Sequence, residues 1–254
     1  MNSFSFMLVT LGRKLPKPVQ FPLRWVYDKW RLRVTFDNRL IGEMAEYFEL
    51  SFSEVKHLMK SGIRLNADLW RASHPRNEKE IAHFYAYTPF YVFELAYWHM
   101  QQDQRSFRQQ IMKASHGNVL DFGGGIGDLS VQLAERELSV TYADIEGKTF
   151  DFASWLFQKR NTSIKVVNLS EDGLKEMYDT IICIDVIEHV PNSKETLSML
   201  IDHLNDEGIL IITNLEMQEV LDIHPMHNTV NFGAEKYLKA QGLKKETPWL
   251  WIKH

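Results

Sequence analysis

One cysteine in 254 residues, Cys183, leaves the chain without an internal disulfide, and its place in an apolar run marks it as a buried strand residue. Long hydrophobic runs are also missing. No stretch approaches the roughly 18 apolar residues that a bilayer crossing needs, so no membrane span is expected. Charge of one sign is in short supply as well: 29 Lys and Arg face 33 Asp and Glu, for a formal net charge of −4. Phosphate backbones attract proteins through a positive surplus, so a nucleic-acid partner is not expected. The opening MNSFSFMLVTLGRK carries its positive charges after its apolar stretch, whereas a secretory signal places them before it; a cytoplasmic, soluble protein is the expectation. Internal repeats and low-complexity tracts are absent.

What is present is the composition of a folded globular chain, 44% hydrophobic and 24% charged. Its character changes near residue 117. The sequence before that point is aromatic and helical in pattern; the sequence after it alternates short apolar strands with amphipathic stretches, the pattern of a parallel sheet covered by helices. This divides the chain into a helical, aromatic-rich cap or substrate region, 1–116, and a second domain, 117–254.

Within the first part, Pro16, Pro18 and Pro22 exclude a regular helix around them. Ser51 and Glu54 have capping-box spacing and predict a helix over 54–60 that ends near Gly62. Residues 77–115 predict two or three helices broken near Pro89. Eight aromatic residues between 84 and 98, among them Tyr85, Tyr91 and Trp98, exceed what one helix face needs for docking. Either they pack helices together or some of them wall a ligand pocket.

In the second part, strands are expected at 118–122, 139–143, 164–167, 180–184 and 209–213. Helices are expected at 127–137, 148–160, 193–204 and 234–241, with a terminal hairpin over 243–253. Between the first strand and the first of these helices runs Asp121-Phe122-Gly123-Gly124-Gly125-Ile126-Gly127-Asp128. Glycine at such a turn lets a ligand lie against the main chain, and the following helix offers free N–H groups. The dinucleotide fingerprint fails, because the position three beyond Gly125 is Asp128. What stands instead is an acid at the strand end, unhelpful beside pyrophosphate and helpful beside a cation.

This turn resembles motif I of the class I S-adenosylmethionine-dependent methyltransferases. Asp144 ends the second strand, some twenty residues on, and Ile145 follows it. The fourth strand runs into Asp185-Val186-Ile187-Glu188-His189-Val190-Pro191, again similar to that family. The resemblance covers about 135 residues. It implies an α/β fold: a doubly wound, mostly parallel, seven-stranded sheet with a C-terminal antiparallel hairpin, preceded by the helical region. It further implies S-adenosyl-L-methionine as cofactor, with Asp121, Gly123, Gly124, Gly125 and Gly127 at the turn. Asp144 would hold the ribose hydroxyls, with Glu146 as its rival, and Ile145 would lie on the adenine. Asp185 would border the methyl group. Many relatives have an acid after the third strand to bond the adenine amino group, and Asn168 stands nearest that place here.

Methyl transfer from a sulfonium needs collinear alignment more than a base. For a hydroxyl or ammonium acceptor a base would still help, and His224, His227 and His189 are the candidates. The pair in Asp222-Ile223-His224-Pro225-Met226-His227 could equally shape a loop or bind a metal; without further identifiable ligands, no metal is expected. Arg71, Tyr85 and Tyr91 are expected lid residues. The expected reaction methylates an oxygen or nitrogen of a small or medium-sized, partly apolar molecule. The alternatives are a peptide or protein side chain as acceptor, or a catalytically silent partner protein of the same fold.

Overall fold

In the computed structural model, which describes residues 30, 32–216, 230 and 232–254, five described helices precede the sheet. They are α1 (Asn38–Tyr47), α2 (Phe52–Ser73), α3 (Glu78–Tyr87), α4 (Tyr91–His99) and α5 (Gln102–Ala114). Pro16, Pro18, Pro22, His224 and His227 lie outside the described residues.

The capping box is present: Glu54 N–H donates to Ser51 Oγ at 3.3 Å, and Ser51 N–H donates to Glu54 Oε2 at 2.7 Å. The predicted stop at Gly62 is not. Helix α2 runs on for 22 residues in all, because Gly62 is a contact point rather than a terminator. A Cβ there would lie 2.9 Å from the backbone nitrogen of Glu94 on α4. Close approach of two helices offsets the ~1 kcal/mol that glycine costs a helix interior relative to alanine. Three helices, rather than two, fill residues 78–114, and the expected break near Pro89 separates α3 from α4.

The sheet follows with β1 (Asn118–Phe122), α6 (Asp128–Ala134), β2 (Ser139–Asp144), α7 (Lys148–Lys159), β3 (Lys165–Asn168), β4 (Tyr178–Cys183) and α8 (Ser193–Asp202). It closes with β5 (Leu204–Ile212), α9 (Ala234–Ala240), β6 (Leu243–Lys245) and β7 (Leu250–Lys253). Its order is β3-β2-β1-β4-β5-β7-β6. The first five strands pair in parallel, and β7 and β6 pair antiparallel. This is the doubly wound seven-stranded α/β sheet with a C-terminal hairpin that the sequence predicts. Strand β5 starts five residues earlier than expected, since the polar stretch Asn205 to Gly208 hides its beginning in the hydrophobic pattern.

Strand order reverses between β1 and β4, so the connections leave their carboxyl ends in opposite directions and open a crevice there. The helices in front of it are not a separate body. Leu40, Met44, Val92 and Phe93 share one buried cluster with Ile126, Tyr142, Phe152 and Phe157 from the sheet region. Among the described residues, no helix is long and apolar enough to cross a membrane.

Replacing Gly62 with Ala is expected to lower stability in urea unfolding by about 1–3 kcal/mol, the cost of overpacking a tight contact. A variant as stable as the parent would show that α2 and α4 separate without penalty and would remove the reason given for this glycine.

Candidate active site

Strands β1, β2 and β4 deliver their ends to one edge of the sheet, where they meet helices α3 to α5 around a cavity of about 420 Å³. That volume suits a small ligand. At the end of β1, Gly123 and Gly124 are filled in by packing: a Cβ on either would meet the side chain of Val186 or Tyr142. Gly125 differs. Its φ is +56°, and a Cβ on it would meet only the flexible tip of Leu95, at 3.0 Å, so the hydrogen it carries keeps the cavity floor open. Gly127 does not line the cavity; it caps α6 and packs on Phe157 and Ala153.

Strand β2 grips this turn from both sides. Asp144 Oδ2 accepts the Gly125 N–H at 2.7 Å, while the Tyr142 hydroxyl donates to the Gly125 carbonyl at 2.7 Å. The other oxygen of Asp144 accepts the Ile145 N–H at 2.8 Å. Asp121 lies beneath the turn, 3% exposed, and accepts the Ser130 hydroxyl at 2.6 Å. Burial pushes both Asp121 and Asp144 up to about 6. Neither has a cation in hydrogen-bond contact among the described residues. Ile145 lines the cavity beside Asp144; Glu146 is exposed, and its N–H donates to Ser170.

Asn168 is not brought to the cavity wall. Its side-chain oxygen accepts the Ser170 N–H at 3.0 Å, and Leu169, Asp172 and Gly173 of the same loop line the cavity instead. Arg71 is also off the wall, half exposed on α2 beside Asp68. Tyr85 and Tyr91 do line it, with their rings 5.5 Å apart.

Asp185, just past β4, has φ +54° and faces the cavity. Its carboxylate accepts from the Thr213 hydroxyl and the Asn214 amide, each at 3.0 Å, and from the Trp98 indole N–H at 3.2 Å. Glu188 is 1% exposed and accepts from Asn214; its Oε2 has no partner among the described residues. Burial, reinforced by the neighbouring Asp185 charge, pushes Glu188 up to about 8. His189 lines the cavity with its Nδ1 2.6 Å from the Tyr85 hydroxyl. Burial holds that phenol well above its ordinary value, so it stays protonated.

Pattern reading missed one feature of the wall. His99 ends α4 and Arg108 lies on α5, and both reach Asp128, the first residue of α6: His99 Nδ1 lies 2.9 Å from one carboxylate oxygen and Arg108 Nη1 lies 3.0 Å from the other. Burial alone would raise Asp128, but the Arg108 guanidinium and His99 hold it well below the usual carboxylate range. Burial, and then Arg108, lower His99. No spacing links 99, 108 and 128, since only the packing of α4 and α5 on α6 brings them together. Cys183 is wholly buried, as its apolar surroundings predict.

Glycine turn, strand-end acid and crevice at the order reversal define a nucleotide-type site on a doubly wound sheet, of the kind class I S-adenosylmethionine-dependent methyltransferases have. A family profile described as a methyltransferase domain matches residues 97–240. The chain belongs to that family. Among curated proteins it is similar to the ubiquinone biosynthesis O-methyltransferase of Rickettsia typhi, 31% identical over 99 residues, which are 38% of this chain and 40% of that protein. The protein of the same name from Rickettsia akari matches at 31% over 99 residues, 38% of this chain and 39% of that one. The chain thus spans about 40% of the length of the curated relatives it matches. Of solved structures, TehB from Haemophilus influenzae aligns at a TM-score of 0.48 and 18% identity, over 58% of this chain and 54% of that one. The N-methyltransferase NodS from Bradyrhizobium japonicum, in complex with S-adenosyl-L-homocysteine, aligns at 0.47 and 14%, over 59% and 87%.

Replacing Arg108 with Leu removes the guanidinium from the buried Asp128 carboxylate and leaves His99 as its described partner. A loss of roughly 3–5 kcal/mol in unfolding free energy is expected, the scale of breaking a buried ion pair from one side. An unchanged melting temperature would count against this pair as the tie between α5 and the sheet.

Proposed function

We propose that this chain transfers a methyl group from S-adenosyl-L-methionine to an oxygen or nitrogen of a small or medium-sized, partly apolar acceptor. One observation carries the reading: a single cavity is lined by the glycine floor, Asp144 and Ile145 together with Tyr85, Tyr91, Trp98 and His189. The residues present fit the cofactor. Gly125 leaves the space a Cβ would fill, and two carboxylates without cation partners suit hydroxyl and ammonium donors. When bound, the cofactor supplies an electrophilic methyl with its leaving group already attached.

In this reading Asp144 takes the ribose hydroxyls and Ile145 lies on the adenine. Asn168 shapes the loop that carries Leu169 and Asp172 to the cavity wall. Gly123, Gly124, Gly125 and Gly127 form the turn, and Asp121 and Asp185 set its negative field. Arg108, the one Lys or Arg among the described residues that line the cavity, offers a cation for the cofactor's carboxylate. His189, oriented by the Tyr85 hydroxyl, takes a proton from the acceptor; His224 and His227 are further candidates for that task. The helices within 1–116 act as a cap that excludes water and shapes the acceptor pocket on the 117–254 domain. Alignment supplies most of the acceleration, and proton removal adds a smaller factor. The curated relatives bear O-methyltransferase names, which supports oxygen or nitrogen chemistry on a small molecule. A cytoplasmic location is part of the same proposal.

Calorimetric titration with S-adenosylmethionine tests the placement. Gly125→Val is expected to retain a cooperative melt and lose detectable binding, because the added atoms enter the cavity rather than the core; unchanged binding would put the cofactor elsewhere.

The two aspartates set the pH dependence. Asp121 and Asp144 are protonated below about 6 in the free protein, and the bound cofactor favours their ionised forms. Affinity is therefore expected to rise as pH increases from 5 to 7 and to level off above that, with isothermal titration at several pH values as the measurement. Affinity that falls over this range would remove the carboxylates from the site.

A further inference from the structure

Resting on the methyl-transfer reading, we propose that the acceptor carries a positively charged amine, held in the aromatic-lined cavity beside Asp185. The acids and aromatic rings that line the cavity lead there. Glu43, 8% exposed, is met by the Arg160 guanidinium through two hydrogen bonds of 2.9 and 2.7 Å, and Asp128 by Arg108 at 3.0 Å. Those two carboxylates are closed off by a guanidinium, whereas the buried Asp121 and Glu94 take the Ser130 hydroxyl and the Asn66 amide.

Asp185 lines the cavity, and no guanidinium is among its described partners, which are Trp98, Thr213 and Asn214, all of them neutral. Among the described residues lining the cavity, Arg108 is the one Lys or Arg, and Asp128 already engages it. An anionic acceptor would meet like charge at Asp185, and a cationic one would find there a carboxylate with no described cation.

Aromatic rings line the same cavity. Trp98 is hydrogen-bonded to Asp185 itself, and Tyr85 packs edge-on against both Tyr91 and His189, at 5.5 and 5.2 Å. Rings beside a carboxylate recognise an ammonium group through their faces and through its charge together. The cofactor also brings a cation, so the test has to separate the two sources.

Three probes that share an arylethyl or arylmethyl body and differ in charge do so: tyramine, tyrosol and para-hydroxyphenylacetate. Their binding to the full chain is followed by tryptophan fluorescence, first saturated with S-adenosylhomocysteine and then with sinefungin, whose amine takes the sulfonium's place. Tyramine is expected to bind roughly ten-fold or more tighter than tyrosol in both states, a factor within the range of desolvated cation–aromatic contacts, and the carboxylate most weakly. Asp185→Asn should reduce tyramine to the affinity of tyrosol and leave tyrosol unchanged.

Equal affinities, preference for the carboxylate, no binding of any probe, or a preference that vanishes with sinefungin would each overturn the proposal. Saturation by S-adenosylhomocysteine is read separately at the outset. If it binds and tyrosol wins, the amine inference falls while the methyltransferase reading stands; if it does not bind, both fall.

Discussion

The pair of hydrogen bonds between strand β2 and Gly125 is the constraint on which the site depends. A turn rich in glycine is free to take many shapes, and that freedom would be a liability for a ligand floor. Asp144 fixes the Gly125 N–H and the Tyr142 hydroxyl fixes its carbonyl, so the peptide on each side of the glycine is pinned by the neighbouring strand. Tyr142 is wholly buried and is itself held by the cluster that the N-terminal helices share. Floor, sheet and cap are consequently one mechanical unit.

Charge is arranged with the same economy. Asp128 opens α6, where a carboxylate suits the helix N-terminus, and it binds His99 and Arg108 from the cap. Its negative charge is thereby consumed in joining cap to sheet. Asp121, Asp144 and Asp185 have no cation in hydrogen-bond contact among the described residues, and all three line the cavity. Buried charge left unanswered within a protein is costly, and a pocket that keeps several such groups is organised for ligands that carry the missing donors.

Much of this was legible in the sequence because it is local. The glycine turn, Asp144 two residues beyond Tyr142, and Asp185 to His189 are each short segments whose strand-to-loop position can be read from hydrophobic pattern and turn chemistry. The capping box at Ser51 is local too. Gly62 misled, since a glycine inside a helical pattern reads as a stop, and only the helix packed against it reveals the reason for its presence. Asn168 misled for another reason: a short polar side chain in a tight loop bonds the loop's own backbone before it reaches a ligand. His99 and Arg108 could not be found, because their meeting with Asp128 is decided by how α4 and α5 dock, and no spacing encodes that.

Where the family likeness begins bears on how substrate choice is built. The matching profile starts at residue 97, inside α4, and takes in the turn, Asp144 and Asp185. Tyr85 and Tyr91, which also line the cavity, precede it, and Ile145 packs against Tyr85. The cavity wall is therefore drawn in part from the shared segment of the chain and in part from helices before it. Because those helices contribute to the cluster that buries Phe152 and Tyr142, they cannot be exchanged without disturbing the cofactor site. Changes of acceptor would be confined to side chains at the tips of α3 and α4 that face the cavity while the buried face stays fixed, and the tyrosines at 85 and 91 occupy such positions.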